Sequence, residues 1–193
     1  MQSGDELLKK YNDLYIEILM RYKDYIEEKE RLYVADLPKL VIPGDENVVS
    51  VAKKIQASFP SYVYEQNFLD AAKLAVRYVE LEIAEVKMPI QVWMTPGETI
   101  RIGAGDVFDK AVLLCSLLIA LGNFSAKVIS VATEGEGKFV VYFELNGKVF
   151  FTDLQKGFEE AASKDELLSR VGIGKDTEVT AYEFNDKMYN DIA

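Results

Sequence analysis

The chain has 193 residues, of which 49% are hydrophobic, so it is long enough to bury one core of its own. Its formal net charge of −10 repels phosphate groups, which argues against nucleic acid and anionic lipid as partners. The chain contains no histidine, and this excludes every mechanism in which it would itself supply an imidazole as a base or a metal ligand.

Two further features indicate a soluble, cytoplasmic protein. A single cysteine, Cys115, cannot form a disulfide within the chain, and the first residues lack the apolar stretch of a secretory signal. No run reaches the roughly 18 apolar residues that a membrane span needs. We therefore expect no membrane association.

The first segment predicts a long amphipathic helix. From Asp5 to about Tyr33, apolar residues recur every three or four positions. The stripe continues for about three heptads. We expect it to pack on its own domain, but it could also form the seam of a homodimer. Leu37 to Asp45 carries two prolines and a glycine, which predicts an extended connector.

The next elements are predicted to be two helices and a loop. Asn47 is the expected N-cap of a short helix that ends at Pro60, and residues 64–86 carry a second long amphipathic pattern. Residues 88–105 contain two prolines and three glycines, so they are predicted to be a surface loop.

The second half of the chain predicts a buried helix followed by a sheet. Residues 106–121 are apolar almost all round, and Gly122 closes this helix. The stretches AKVISVAT, KFVVYFEL and KVFFTDL are rich in β-branched and aromatic residues, which is typical of strands. The dipeptide Asn146–Gly147 indicates a type I′ hairpin, so the strands should form an antiparallel meander.

The tail predicts a short helix at about 164–170 and a strand at EVTAYEF. Helices precede strands, with one buried helix between them, which indicates an α+β fold. We expect three units: the N-terminal helix and connector at 1–45, a core at 46–160, and a C-terminal extension at 161–193 that packs on the core.

The stretches VWMTPGETIRIGAGDVFDKAVLLCSLLIALG and GKFVVYFELNGKVFFTD together resemble the transglutaminase-like superfamily, which has the papain-like fold. In that family a W-x-x-P-x-E-T-L loop leads into G-D-C-x-D at the start of a buried helix that ends in A-L-G. A strand H-x-W-V-E-V, a hairpin N-G-K-W and a final aspartate follow. The matching residues here are Trp93, Pro96, Glu98, Thr99, Gly105, Asp106, Asp109, Leu118, Ala120, Leu121, Gly122, Asn146, Gly147, Lys148 and Asp153.

The resemblance implies that two of the three catalytic groups are missing. Val107 stands where the family has its cysteine, and counting back fifteen residues from Asp153 puts Lys138 where the histidine belongs. Valine offers no nucleophile, and a lysine beside an aspartate stays charged and cannot accept a proton. Cys115 lies two turns, about 12 Å, further along the helix and is expected to be buried. We therefore expect a pseudoenzyme with no catalytic residues.

A cleft that has lost its catalytic groups can still bind a ligand. The resemblance suggests Trp93, Glu98, Asp106, Phe108 and Asp109 as binding residues, although Gly-Asp before a helix is also typical of an N-cap. We expect a protein or peptide partner and neither a cofactor nor a metal.

Two alternatives remain open. The chain could be an amide hydrolase that uses a metal or Lys138 with carboxylates, or it could be a structural protein that self-associates through its N-terminal helix.

Overall fold

The computed structural model describes residues 4–29, 31, 33–90, 92–132, 137–154, 157–174 and 179–192. Within these residues it contains seven α-helices, one 3-10 helix and eight strands, six of which form one antiparallel sheet. This architecture confirms the predicted α+β class. In this described part of the chain, no helix has the length and apolar character needed to cross a bilayer.

The N-terminal segment is helical, as predicted, but it stands apart from the core. It consists of α1 (Gly4–Arg21) and α2 (Lys23–Lys29), joined by a turn at Tyr22. The expected packing on its own domain is not seen for α1, whose apolar stripe is exposed, whereas Ile26 in α2 is half-buried. The exposed stripe includes Leu7, Leu8, Tyr11, Leu14, Tyr15, Ile18, Leu19, Tyr22 and Tyr25. Residues 30 and 32 of the predicted helix lie outside the described residues.

The connector was predicted to be extended at residues 37–45, but residues 37–40 belong to a 3-10 helix, Val34–Leu40, and the backbone is extended at Val41. The N–H of Val41 donates to the carbonyl oxygen of Pro38 at 3.3 Å. A short 3-10 turn tolerates Pro38 because it places few demands on backbone donors. Leu37 and Leu40 are buried, so the segment contributes to the core.

Helix α3 spans Glu46–Gln56, and its N-cap is Asp45 rather than the predicted Asn47. The Oδ1 of Asp45 accepts the N–H groups of Asn47 at 2.8 Å and Val48 at 3.3 Å. A carboxylate two residues earlier therefore caps the helix by satisfying two of its first free N–H groups. Helix α4 (Tyr64–Glu82) follows and ends four residues before the predicted boundary.

The predicted surface loop contains a helix, α5 (Pro96–Ile102), so that prediction was wrong. Two short parallel strands, β1 (Ala84–Glu85) and β2 (Ala104–Gly105), flank it. Helix α6 (Val107–Ala120) comes next and is buried on nearly all sides, as predicted. Gly122 follows it with φ +110°, which agrees with its role as the residue that closes the helix.

The large sheet has the order β6-β5-β4-β3-β7-β8. The predicted meander is present in β3 (Lys127–Ala132), β4 (Gly137–Leu145) and β5 (Lys148–Thr152). Asn146 and Gly147 have φ of 53° and 75°, which confirms the hairpin. Residues 133–136, which connect β3 to β4, lie outside the described residues.

Three further strands complete this sheet. These are β6 (Glu159–Ala161), β7 (Thr180–Phe184) and β8 (Tyr189–Asp191). Strand β7, which the sequence predicted, pairs with β3 on the side opposite β4. The tail is therefore part of the sheet.

The sheet separates two hydrophobic clusters. Its inner face packs against the central α6 and, through Phe68 on Phe143, against α4, while α3 packs on the other side of the same cluster against α6. Its outer face packs against the predicted short helix α7 (Lys164–Arg170), with Leu167 fully buried. Residues of β4 alternate between the two clusters, and this alternation positions the candidate site.

Candidate functional site

The segment before α6 contains helix α5, whose start has a complete capping box. The Oγ1 of Thr95 accepts the N–H of Glu98 at 3.3 Å, and the Oε2 of Glu98 accepts the N–H of Thr95 at 2.9 Å. The hydroxyl of Thr95 also donates to the Oε2 of Glu98, at 2.8 Å. The bond from the backbone N–H of Thr95, and then the bond from its hydroxyl, lower the pKa of Glu98. Pro96 occupies the first helical position, where a missing N–H costs nothing.

A second capping box holds the start of α6. The N–H of Asp109 donates to the Oδ1 of Asp106 at 2.9 Å, and the N–H of Asp106 donates to the Oδ2 of Asp109 at 3.0 Å. The Oδ1 of Asp109 also accepts the N–H of Met94 at 3.3 Å, which ties the preceding loop to the helix. Burial, and then the charge of Asp106, raises the pKa of Asp109 to about 6.

Gly105 lets this box close. A Cβ at Gly105 would lie 2.9 Å from the Cβ of Asp109 and 3.2 Å from the Cγ2 of Thr99. Such distances are too short for carbon atoms in contact, so only glycine lets the strand approach the helix this closely. The Gly-Asp-x-x-Asp pattern thus has a structural explanation in this chain.

An aromatic cluster packs around the first turn of α6. The ring centroid of Phe108 lies 4.7 Å from that of Trp93 and 5.1 Å from that of Phe139, both in edge-to-face geometry. The ring centroid of Phe184, on β7, lies 6.2 Å from that of Phe108 in stacked geometry. Val107, half-buried, is the first residue of the helix. The surroundings of the helix start are therefore mostly apolar.

Lys138 lies on the outer face of the sheet. It pairs with Val131, which belongs to the outer cluster, and it is exposed. Phe139 packs against the inner cluster and contacts Phe108. Since neighbouring residues of a strand point to opposite faces, Phe139 and not Lys138 is the β4 residue that meets the start of α6. The alternation in KFVVYFEL could have shown this.

The other predicted positions are found as follows. Asp153 is half-buried and comes directly after β5. Cys115 is fully buried in α6, and burial raises the pKa of its thiol. The thiol is therefore held in its protonated, unreactive form. Of the five predicted binding residues, Asp106, Phe108 and Asp109 lie in the first turn of α6 with Trp93 against Phe108, whereas Glu98 lies in the separate capping box of α5.

Lys110 is a buried cation that sequence reasoning did not single out. It is 6% exposed, and its Nζ lies 3.7 Å from the Oε2 of Glu85 on β1. This ion pair links α6 to the small parallel sheet. Within the described residues, no group of three or more histidine, cysteine, aspartate or glutamate side chains could hold a metal ion.

A buried carboxylate on the outer face was also missed. Glu183 is 2% exposed and accepts the Tyr142 hydroxyl at 2.6 Å. It also pairs with Lys164 at 2.6 Å and Lys127 at 3.2 Å. Burial alone would raise its pKa, but these hydrogen bonds and charges outweigh burial and lower the pKa of Glu183 to about 2. No local sequence pattern predicts this network, because its members are distant in sequence.

Together, the geometry is that of an α+β domain whose capped, buried helix packs on an antiparallel sheet. Comparison with protein families agrees with this description. The family model of the CEP76 peptidase-like domain matches residues 91–173, which run from the start of the capped loop to α7. A comparison with curated proteins found no match. The matched part is less than half of the chain, and it supports a peptidase-like fold for this region.

Proposed function

We propose that this chain is a non-catalytic member of the transglutaminase-like superfamily that works by binding a protein or peptide. The observation that carries the proposal is the start of α6. There Val107 takes the position of the family's cysteine, in a chain without histidine. Cys115 is no substitute, because it is fully buried and its thiol pKa is raised.

The sheet side of the site supports the same proposal. A proton acceptor would have to face the start of α6 from β4, and the residue that does so is Phe139. Its edge-to-face contact with Phe108 leaves an apolar surface where a base would be needed. Lys138, exposed on the opposite face, is a poor candidate for lysine-assisted hydrolysis of a substrate at this helix.

The proposed binding surface is the rim around Trp93 and Glu98. Trp93 is half-buried and Glu98 is exposed, so a partner can contact both. Phe108 and Asp109 are buried beneath them, and Asp109 fixes the loop through its bond to Met94. We therefore assign Trp93 and Glu98 to contact with the partner. Asp106, Phe108 and Asp109 support these contacts from below.

The loss of catalysis is tested by activity. The purified full chain is assayed against a panel of peptide and glutamine amides, with and without primary amines. We expect no turnover by the wild type, and none by Lys138→Ala or the control Lys148→Ala. Turnover that disappears in Lys138→Ala or Asp153→Ala but survives in Lys148→Ala would instead establish the amide hydrolase alternative.

The alignment of this chain with the family is tested separately, by placing a cysteine at position 107. We expect the thiol introduced by Val107→Cys to be alkylated faster at neutral pH than a free cysteine, because the helix N-terminus lowers thiol pKa values. Adding Phe139→His should accelerate the alkylation further. An introduced thiol that titrates near the ordinary value of about 8.5 in both variants would refute the alignment.

Binding at the rim has a natural reporter, because Trp93 is the chain's single tryptophan. Peptides from an array of defined sequence classes are titrated against the full chain while its emission is followed. We expect a shift that Glu98→Gln weakens and that the control Phe124→Ala leaves unchanged. Peptides that bind without moving the emission would place the binding surface elsewhere.

The exposed stripe of α1 favours self-association as a second candidate function. Leu8, Tyr11, Tyr15, Ile18 and Tyr22 alternate at three- and four-residue spacing, which suits a two-helix seam. Sedimentation at increasing concentration should show a dimer that Ile18→Lys disrupts and Glu17→Lys, away from the stripe, does not. A monomer at every concentration would remove this candidate.

A further inference from the structure

A groove between α3 and α4 lies away from the candidate site. It has a volume of about 400 Å³, and its apolar lining is formed by Val51 and Ile55 of α3 with Leu74, Tyr78 and Leu81 of α4. The α4 residues are spaced by four and three positions, so they form one row along the helix. Leu81 is 67% exposed at the end of this row. This is the shape into which the apolar face of another helix packs.

Two cations border the groove on opposite walls. Lys54 comes from α3 and Arg77 from α4, and both are exposed. The last residue of α4, Glu82, also lines the groove, so its charged lining consists of two cations and one carboxylate. Neither cation forms an ion pair with another described residue, although seven other lysines in the described part of the chain do. In a chain of net charge −10, an apolar groove between two unpaired cations is a local exception. It selects a ligand with carboxylates on both sides of its apolar stripe.

The surface continues past Arg77. A second hollow of about 360 Å³ lies on the other side of the Arg77–Leu81 ridge, with Lys73, Val76 and Phe158 in its lining. Lys73 is paired with Asp70 at 2.8 Å. The two hollows share the ridge, so a helix seated in the first would leave room for flanking residues in the second.

Helix α1 of a second copy does not fit this charge pattern. At about 100° per residue, Arg21 and Lys10 fall beside one edge of its apolar stripe and Asp5 beside the other, so only one edge carries an acidic residue. Docking of α1 would therefore bring cations towards Lys54 or Arg77.

We propose that the α3–α4 groove is a docking site for an amphipathic helix of a partner protein that carries acidic residues on both edges of its apolar face. The apolar row supplies the buried contact, and Lys54 and Arg77 select the acidic edges. This inference does not rest on the absence of catalysis, and it concerns a surface other than the rim at Trp93.

The test uses two synthetic helical peptides with the same leucine stripe. One has glutamate on both edges of the stripe, and the other has lysine there. Fluorescence anisotropy with the full chain should show that the glutamate peptide binds at least about tenfold tighter, as expected for two charge pairs changed from attraction to repulsion. The double variant Lys54→Glu with Arg77→Glu should reverse this preference.

The matched control is Lys148→Glu with Lys187→Glu, which changes the net charge equally on the sheet side of the molecule. It should retain the preference for the glutamate peptide. Equal binding of both peptides, or a preference that the groove variant and the control change alike, would overturn the proposal. Loss of wild-type dimerisation in the groove variant would overturn it differently, by showing that a second copy occupies the groove. None of these results would bear on the activity assays.

Discussion

The network around Glu183 should make a large contribution to stability, and replacing Glu183 by glutamine tests this directly. The carboxylate is buried and accepts hydrogen bonds from Tyr142, Lys164 and Lys127. Glutamine keeps the shape but loses the charge, so two lysines remain beside a neutral amide. Removing one partner of a buried ion pair costs about 3–5 kcal/mol.

The pKa gives an independent magnitude. Lowering the pKa of Glu183 from 4.5 to about 2 corresponds to roughly 3 kcal/mol in favour of the folded state. Lys127 and Lys164 are partly exposed, and solvent screening reduces this to about 2 kcal/mol. We therefore expect Glu183→Gln to lower the free energy of unfolding at pH 7 by about 2–3 kcal/mol.

The sign of the pH dependence follows from the direction of the shift. A carboxyl whose pKa is lower in the folded state stabilises fully above its unfolded pKa of 4.5, and this stabilisation is lost as pH falls towards about 2. Urea unfolding followed by circular dichroism at several pH values should show the gap between wild type and Glu183→Gln closing over this window. A difference below about 0.5 kcal/mol at pH 7, or a gap that does not change with pH, would refute the reasoning.

Three further predictions concern individual contacts. Gly97→Ala should lower stability by about 1 kcal/mol, because its Cβ would lie 2.6 Å from the Oδ1 of Asp45 and displace this cap of α3. In thermal unfolding, the control Gly44→Ala, which has open space, should cost nothing comparable, and Gly97→Ala should have no effect in an Asp45→Ala background. The pKa of Asp109 is raised to about 6, so its contribution to stability is full below pH 3.8 and is lost as the pH rises through 6. The destabilisation that Asp109→Asn causes in urea unfolding should therefore shrink by about 2 kcal/mol between pH 4 and pH 7. Cys115 should resist a thiol reagent in the folded protein and react fully in denaturant; fast labelling without denaturant would contradict its burial.

The sequence predicts those elements whose pattern is strong and local. Helix α6 is apolar on every side, and β3 to β5 alternate dense apolar stretches with short turns, so their positions follow from composition alone. Strands β6 and β8 were not predicted, because each has three residues and few apolar side chains. Their strand conformation depends on pairing with β5 and β7, which are formed elsewhere in the chain.

Helix α5 was missed for a different reason. The prolines and glycines of residues 88–105 favour a loop, but Thr95, Pro96 and Glu98 form a capping box with proline at the first helical position. The same local rule would have placed the helix correctly. The assignment of Lys138 had a similar weakness, because counting residues from Asp153 ignored which face of β4 packs on α6.

The capping boxes account for several of the residues that carry the family resemblance. Glu98, Asp106 and Asp109 satisfy backbone donors at the starts of α5 and α6, and Gly105 permits the close approach of the strand. Replacing any of them would cost helix stability whether or not a thiol were present. Val107, by contrast, supplies no side-chain hydrogen bond, so the fold does not require any particular group there. The residues that carry the resemblance are thus those that the fold itself requires, and their presence is no argument for activity.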